Sequence, residues 1–326
     1  MAEIWAVGEI ADGQPTKLTL ELATLARRLA AASGSEARTL VVGAEAQAAA
    51  ESVRPYGNVL AVATESSLGA RPVASVVAPR VAALITERQP SFLLVGATND
   101  GKDVAGMLVG LTDLPILVNG AAVEWVGEAP RVEMSTFGGK LVTHSTFTGN
   151  RGIVVVRAGS VTAEAAASPG QLEVETLGAA SELAAVKVVG SVTEAGAAAP
   201  IEEARIIVGG GRGVGSPDGF RMIEDLAHAL GGAVGATRAV VDAGWISYSQ
   251  QIGQTGKIVK PALYVACGIS GAIQHKVGVQ TAGTIVAINR DPDAPIGEFA
   301  DLFVVGDVFE VVPRLTEAVK ASKAAG

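Results

Sequence analysis

The chain has 326 residues, enough for two domains that each bury a core, and although 49% of them are apolar, only 4% are aromatic. No uninterrupted apolar run approaches the roughly 20 residues of a membrane helix, and a formal charge of −8 argues against a nucleic-acid partner. The single cysteine excludes an internal disulfide framework, and no basic segment followed by an apolar one opens the chain, so we expect a cytoplasmic protein that is not membrane-embedded.

The first part of the chain alternates apolar runs with amphipathic ones, which is typical of a parallel sheet with helices on its faces. Strands are predicted at residues 4–7, 39–42, 58–63 and 92–95, and helices at residues 16–32, 44–52, 72–88 and 103–111. The first helix repeats leucine at the spacing of one buried face, at Leu18, Leu22, Leu25 and Leu29. Residues 99–102, Asn-Asp-Gly-Lys, could touch a phosphate or a partner, but we expect a solvated turn before the helix.

The pattern changes between residues 121 and 157, where short β-rich runs are joined by hairpin-like segments containing glycine. Strands are predicted there at residues 121–126, 132–137, 141–147 and 153–156. Residues 163–200 are rich in Ala, Ser, Gly, Glu and Pro, which indicates an irregular tail and linker with strand-like runs at 172–176 and 185–189. We therefore predict a domain boundary near Pro200, with one domain at residues 1–200 and another at residues 201–326.

The second domain again alternates strands and helices. Strands are predicted at residues 205–208, 233–237, 262–267, 284–288 and 302–305, and the main helices at residues 217–230 and 308 to about 320. Five strands separated by helices predict a compact doubly wound sheet. The predicted fold class is therefore α/β, with two domains that are each a mostly parallel sheet flanked by helices.

The stretch from Ile252 to Asn289 concentrates the polar signals of this domain. A polar turn at residues 253–256 precedes a buried strand, and a second glycine turn at residues 268–271 opens a short helix that carries Gln274 and His275. Backbone N–H groups at such a helix start can hold an anion, and small polar side chains at strand ends mark where α/β sheets bind ligands. Composition alone favours an ordinary βαβ crossover over a ligand site here.

Two glycine-rich segments resemble nucleotide motifs but do not satisfy them. Residues 209–216 place Ser216 where the third glycine of a dinucleotide fingerprint should be, and no acidic residue follows at the ribose-binding distance. Residues 253–257 resemble the end of a P-loop, but Gln251 stands at its leading glycine and Ile258 at its magnesium-binding hydroxyl. Nucleotide hydrolysis is therefore rejected, while Arg212 in the first segment is still a good phosphate contact.

The histidines and the cysteine do not form a recognisable catalytic set. His228 lies in a predicted surface helix, and His144 lies in an alternating strand without a second ligand nearby, so no metal site is predicted. Cys267 ends a buried strand and is expected to be a small buried hydrophobe. His275 differs because it follows a glycine turn at a predicted ligand-facing helix start, although a structural role is equally open.

Several of these segments together resemble the alpha (large) subunit of electron transfer flavoproteins. The matching runs are Gly-Gln-Thr-Gly-Lys at residues 253–257, Gly-Ile-Ser-Gly-Ala-Ile-Gln-His at 268–275 and Ile-Val-Ala-Ile-Asn at 285–289. Gly-Gly-Arg-Gly at residues 210–213 and Ala-Val-Val-Asp-Ala-Gly at 239–244 match as well. The resemblance is specific from about Arg205 to the C-terminus and looser over the first domain.

The resemblance implies a redox carrier rather than an enzyme with a substrate of its own. Such a chain forms a heterodimer with a smaller beta subunit, which the first domain contacts, and binds one FAD mainly through a Rossmann-like C-terminal domain. It accepts electrons from acyl-CoA and related dehydrogenases, as in fatty acid β-oxidation, and passes them singly to a membrane quinone oxidoreductase.

The resemblance also implies a set of FAD contacts. Arg212 would contact the phosphate region, Arg238 would lie close to the isoalloxazine ring, and Asn289 and Asp307 would hold the adenosine end. The Thr255 hydroxyl would lie near N5 and His275 near O2 of the ring. The complete implied set is Arg212, Thr237, Arg238, Ile252, Gly253, Gln254, Thr255, Ser270, Gly271, Ala272, Ile273, Gln274, His275, Asn289, Asp307 and Val308.

Three members of this set differ from the residue that is usual in the family. Thr237 stands where the family often has serine, Ile252 replaces a more usual valine and Val308 a more usual leucine, and each change preserves the chemical character.

We further hypothesise that Arg238, His275 and the helix start favour negative charge near N1 and O2, and so raise the first reduction potential of the flavin.

Other classes of protein stay open at this point. One is a flavin- or nicotinamide-dependent oxidoreductase with its own substrate, which the missing fingerprint and the absence of an acid–base pair disfavour. Another is a non-redox nucleotide-binding module, which the first domain alone would permit. Within the family, an electron-bifurcating member is the narrower alternative, although Thr255 beside the flavin favours an ordinary carrier.

Overall fold

A computed structural model describes residues 2–64, 71–136, 141–176, 186, 188–190 and 201–325 of the chain. The described residues form two compact units, one between residues 2 and 190 and the other between residues 201 and 325. The predicted boundary near Pro200 lies outside the described residues and stays a prediction, as does most of the strand predicted at 185–189. No described helix is long and apolar enough to cross a membrane.

Nine strands of the described first unit form one mostly parallel sheet. Two further strands, β2 (Ile10–Ala11) and β3 (Gln14–Pro15), form a small hairpin beside it. The strands of the large sheet are β1 (Glu3–Gly8), β4 (Glu36–Gly43), β5 (Val59–Ala63), β6 (Phe92–Gly96), β7 (Ile116–Val126), β8 (Ala129–Thr136), β9 (Leu141–Ser145), β10 (Gly152–Val156) and β11 (Leu172–Thr176). Their order in space is β11-β5-β4-β1-β6-β10-β7-β8-β9, and only the β7–β8–β9 edge is antiparallel.

Helices cover both faces of this sheet, as the alternating pattern predicts. They are α1 (Lys17–Ser33), α2 (Ala46–Val53), α3 (Val73–Arg88) and α4 (Asn99–Thr112). The leucine face of α1 is confirmed, because all four of its predicted leucines are at most 5% exposed and pack against β1 and β6.

Two predictions for the first unit are wrong. β10 does not continue the hairpins but lies parallel between β6 and β7, because its apolar residues are buried on both faces, as in the centre of a parallel sheet. Residues 99–102 are not a solvated turn but the first turn of α4. The helix begins there because the Thr98 hydroxyl caps it, accepting a hydrogen bond from the Gly101 amide at 2.9 Å.

The described second unit contains a five-stranded parallel sheet, which confirms the predicted fold class. Its strands are β12 (Ile206–Gly210), β13 (Ala233–Ala236), β14 (Leu263–Cys267), β15 (Thr284–Asn289) and β16 (Leu302–Val305), in the order β13-β12-β14-β15-β16. Its α-helices are α5 (Phe220–Leu230), α6 (Arg238–Val241), α7 (Ile273–Val279) and α8 (Val308–Ala325). Two apolar layers, one on each face, enclose the central strands.

Two glycines of α4 provide a matched test of its packing against β6. A Cβ at Gly101 would lie 2.1 Å from the Gly96 carbonyl oxygen, whereas a Cβ at the exposed Gly106 would have nothing within 4 Å. We expect Gly101→Ala to lower the free energy of unfolding by at least about 2 kcal/mol. Gly106→Ala should raise it by about 0.5–1 kcal/mol, because alanine restricts the unfolded chain. Urea unfolding measures both, and equal effects would contradict the close approach of α4 to Gly96.

Candidate functional site

The carboxyl ends of the parallel strands in the second unit meet at one edge of its sheet, which is where open α/β sheets bind ligands. The structure brings the scattered predicted site residues to this edge. Arg212 follows β12, Thr237 and Arg238 follow β13, residues 270–275 follow β14, Asn289 ends β15, and Asp307 and Val308 follow β16.

Two glycine loops at this edge pack backbone against backbone. The Gly211 and Gly213 amides each donate at 3.0 Å, to the Cys267 and Gly268 carbonyls respectively. A Cβ at Gly213 would lie 2.6 Å from the Cα of Gly268, so no side chain fits between the loops. These glycines are therefore required for packing between the two loops.

The loop after β14 presents unpaired backbone donors. Within the described part of the chain, the amides of Ser270, Gly271 and Ala272 donate to no other group. The loop is fixed from below, because the Ile296 amide donates to the Ser270 carbonyl at 3.0 Å and Asn289 Nδ2 donates to the Ile269 carbonyl at 2.9 Å. Fixed, unpaired amides of this kind suit the oxygens of a phosphate.

Residues 251–257, which we call the 251–257 loop, form a closed turn beside α7. The Lys257 amide donates to the Gln251 carbonyl at 2.7 Å, and the Gly253 amide donates to the Lys257 carbonyl at 3.0 Å. The Gln254 amide donates at 2.7 Å to the carbonyl of Gln274, so the loop and the segment at residues 270–275, which both carry predicted FAD contacts, touch directly. Within the loop, Gln254 and Thr255 are exposed, while Ile252 and Gly253 are buried.

His275 lies beneath this loop with both ring nitrogens engaged inside the protein. Nδ1 is 3.1 Å from the Ile252 carbonyl oxygen, and Nε2 is 2.9 Å from the Tyr264 hydroxyl. Because a carbonyl only accepts, we assign the proton to Nδ1, and the hydroxyl then donates to Nε2. A hydrogen bond from this ring to a flavin would require one of these bonds to break, so the predicted contact near O2 stays a prediction.

The same surroundings keep the imidazole uncharged. Burial lowers the pKa of His275 from 6.5 to about 4, and the hydrogen bond to the Ile252 carbonyl offsets only part of that effect. Burial also raises the pKa of the Tyr264 hydroxyl, so this group is a donor at neutral pH. His275 is therefore neutral in the folded protein and is only 5% exposed.

Two arginines supply exposed positive charge at this edge, whereas the lysine of the P-loop-like segment is paired. Arg212 is exposed and makes no ion pair within the described chain, and Arg238 is exposed and pairs with Asp242 at 3.1 Å. Lys257 instead pairs with Glu202 at 2.5 Å. The lysine thus holds the loop to the start of the unit, a role that the sequence did not reveal.

At the far end of the sheet, the polar side chains are anchored locally. Asn289 Oδ1 accepts from the Asp291 amide at 3.0 Å, and Asp307 Oδ1 accepts from the Phe309 amide at 2.8 Å at the start of α8. Val308 is buried beneath them. Asp307 is exposed, and its contact with the adenosine end stays a prediction.

Sequence reasoning missed two buried polar residues of the site, Gln251 and Tyr264. A buried tyrosine normally finds a hydrogen-bond partner, so Tyr264 at the middle of an apolar strand was a usable signal. Gln251 carried no signal of its own, because its contacts depend on the closure of the loop. Both residues are at most 2% exposed.

Comparison with known proteins identifies the class of fold that these features define. The second unit matches the electron transfer flavoprotein FAD-binding domain over residues 200–280, and residues 4–182 match the electron transfer flavoprotein domain. "Electron transfer flavoprotein subunit alpha" of Mycobacterium tuberculosis (strain CDC 1551 / Oshkosh) is 42% identical over 99% of this chain and 100% of its own length.

Relatives of the same name extend to distant bacteria. The protein of Thermoanaerobacterium thermosaccharolyticum is 36% identical and covers 98% of each chain, and that of Bacillus subtilis (strain 168) is 33% identical over 98% of this chain and 97% of its own. The chain therefore belongs to the electron transfer flavoprotein alpha-subunit family.

The residues present suit the FAD that this domain binds. Arg212 and the unpaired amides of Ser270–Ala272 match a pyrophosphate, and the Thr255 hydroxyl with the Arg238 guanidinium supply donors for the polar edge of a flavin. FAD supplies one- and two-electron redox chemistry, while the chain supplies binding, orientation and electrostatics. The individual contacts in the predicted set stay predictions.

The neutral histidine makes the stability of the protein depend on pH. Because the folded pKa of His275, about 4, lies below the unfolded value of 6.5, the unfolded chain binds more protons between these values. Its contribution to stability is present above pH about 6.5 and is lost towards pH about 4, on the order of 3 kcal/mol in total.

His275→Gln tests this dependence, since glutamine can donate to the Ile252 carbonyl and accept from Tyr264 without titrating. We expect urea unfolding to show a smaller loss of free energy on acidification in this variant than in the unsubstituted protein. His228→Gln, at an exposed histidine of α5, is the matched control and should follow the unsubstituted protein. Parallel behaviour of all three proteins would show that His275 is not buried in its neutral form.

Proposed function

We propose that this chain is the alpha subunit of a heterodimeric electron carrier, completed by a smaller beta subunit and holding one FAD per heterodimer. It takes electrons from acyl-CoA and related dehydrogenases in the cytoplasm, as in fatty acid β-oxidation, and passes them singly to a membrane quinone oxidoreductase. We propose an ordinary carrier rather than an electron-bifurcating one, because Thr255 is proposed to lie beside the flavin. Membership of the family and the match to its FAD-binding domain support the assignment as an electron transfer flavoprotein subunit.

The observation that favours a carrier over an enzyme with its own substrate is the state of His275. It is the histidine of the site, and its ring is neutral, buried and bonded at both nitrogens. A general acid or base must reach the proton that it moves and needs a pKa near the working pH. His275 meets neither condition, so the site is suited to moving electrons without proton transfer by a side chain.

Arg238 and Thr255 are the groups proposed to tune the cofactor. Both are exposed at the carboxyl edge of the sheet, where a flavin ring can approach them. A guanidinium near the pyrimidine end of the ring stabilises negative charge there, and a hydroxyl can donate to N5. Each therefore favours the electron-rich form of the ring over the oxidised one.

Co-expression with a beta subunit of the family tests the proposal. We expect a yellow heterodimer with one FAD, which photochemical reduction converts in two separable one-electron steps. A colourless monomer would indicate a nucleotide-binding module without redox function. A yellow protein that is reduced only in a single two-electron step would indicate an oxidoreductase with its own substrate.

Arg238→Ala tests the electrostatic part of the proposal. Loss of the guanidinium should lower the first reduction potential of the heterodimer. The shift should be equivalent to about 1 kcal/mol or less, because this side chain is exposed and screened by solvent. Arg221→Ala is the control, since Arg221 is also an exposed helical arginine paired with an aspartate, Asp218. Spectroelectrochemistry measures both, and equal potentials in the two variants would contradict a specific role for Arg238.

A further inference from the structure

Gln251 lies buried inside the 251–257 loop with its amide directed at Thr255. Nε2 is 3.0 Å from the Thr255 carbonyl oxygen and 3.2 Å from the Thr255 Oγ1. The side chain is only 2% exposed, whereas Thr255 itself is exposed. The glutamine therefore supports the threonine from the protein side and leaves its outer side open.

The donors and acceptors of this contact can be assigned from chemistry. The Thr255 carbonyl only accepts, so the amide nitrogen of Gln251 must face it. The same nitrogen donates its second hydrogen to Oγ1, which occupies an acceptor position of the hydroxyl. Thr255 Oγ1 donates to no group of the described chain, so its own hydrogen is left for an acceptor outside the loop.

Gln251 is held in place from several sides. Its backbone amide donates to the Tyr248 carbonyl at 3.0 Å, and its carbonyl accepts from Lys257 at 2.7 Å. A Cβ at Gly256 would lie 2.4 Å from the Gln251 carbonyl oxygen and 2.8 Å from its Cγ, so only glycine lets the loop close over it. The position of the amide is thus fixed by the loop before any ligand binds.

We propose that Gln251 is a positioning residue that fixes the Thr255 hydroxyl as a hydrogen-bond donor towards the flavin N5. This inference rests on the proposed function, which places Thr255 beside the flavin, and adds the residue that sets the direction of its hydroxyl. Without the glutamine, the hydroxyl can rotate and spend part of its time donating to the loop or to water. A donor held in one orientation requires no reorganisation when charge develops on its acceptor.

The test is a double-substitution cycle on the FAD-containing heterodimer. Gln251→Met preserves side-chain length and removes the amide. We expect it to lower the first one-electron potential by up to about 59 mV, a tenfold change in the one-electron equilibrium. In a Thr255→Val background, which lacks the hydroxyl, the same substitution should cause little further shift. Gln251→Leu, which is also uncharged and lacks the amide, replaces the methionine variant in the same two backgrounds if that protein does not fold.

Tyr248→Phe is the matched control, because the Tyr248 hydroxyl donates to the same Thr255 carbonyl at 2.8 Å but makes no hydrogen bond to Oγ1 within the described chain. It should leave the potential unchanged. An equal shift in Tyr248→Phe, or an equal shift of Gln251→Met in both backgrounds, would overturn the proposal. If the unsubstituted heterodimer lacks FAD or separable one-electron steps, the proposed function fails instead, which this design distinguishes.

Discussion

The candidate site depends on an uncharged imidazole placed where a charged one would be costly. His275 joins the Tyr264 hydroxyl of β14 to the Ile252 carbonyl, and it belongs to α7. Strand, loop and helix start therefore meet on one ring, and the Gln254–Gln274 backbone hydrogen bond lies directly beside it. If the ring were protonated, Nε2 could no longer accept from Tyr264, and a buried charge would have no counter-ion.

This arrangement separates the functions of neutral and charged groups. The groups that fix the loop, His275, Gln251 and Tyr264, are buried and neutral at physiological pH, whereas Arg212 and Arg238 are exposed. Buried dipoles hold their geometry without a desolvated charge, and exposed guanidinium groups can meet an anionic ligand at small cost. A carrier benefits from this division, because the scaffold does not gain or lose protons when the charge of its cofactor changes.

The sequence predicts the fold of both units well because apolar runs alone specify parallel strands and their covering helices. It fails where a tertiary contact decides the outcome. The glycines around β10 are local signals that predict hairpins, whereas its burial on both faces depends on distant strands. The start of α4 is different, because Thr98 is an ordinary helix cap and was a usable local signal. Strand topology brought the predicted site positions to one edge, but the Tyr264–His275 pair, 11 residues apart on different elements, could not be read from spacing.

The lysine of the 251–257 loop shows why a motif alone cannot assign chemistry. In a P-loop such a lysine binds phosphate, but here its ammonium group is held by Glu202, and the loop glycines serve close packing around Gln251. What the loop offers to a ligand is therefore the exposed Thr255 hydroxyl, not a cation. A neutral donor of this kind suits the polar edge of a redox ring, for which the protein supplies orientation and electrostatics.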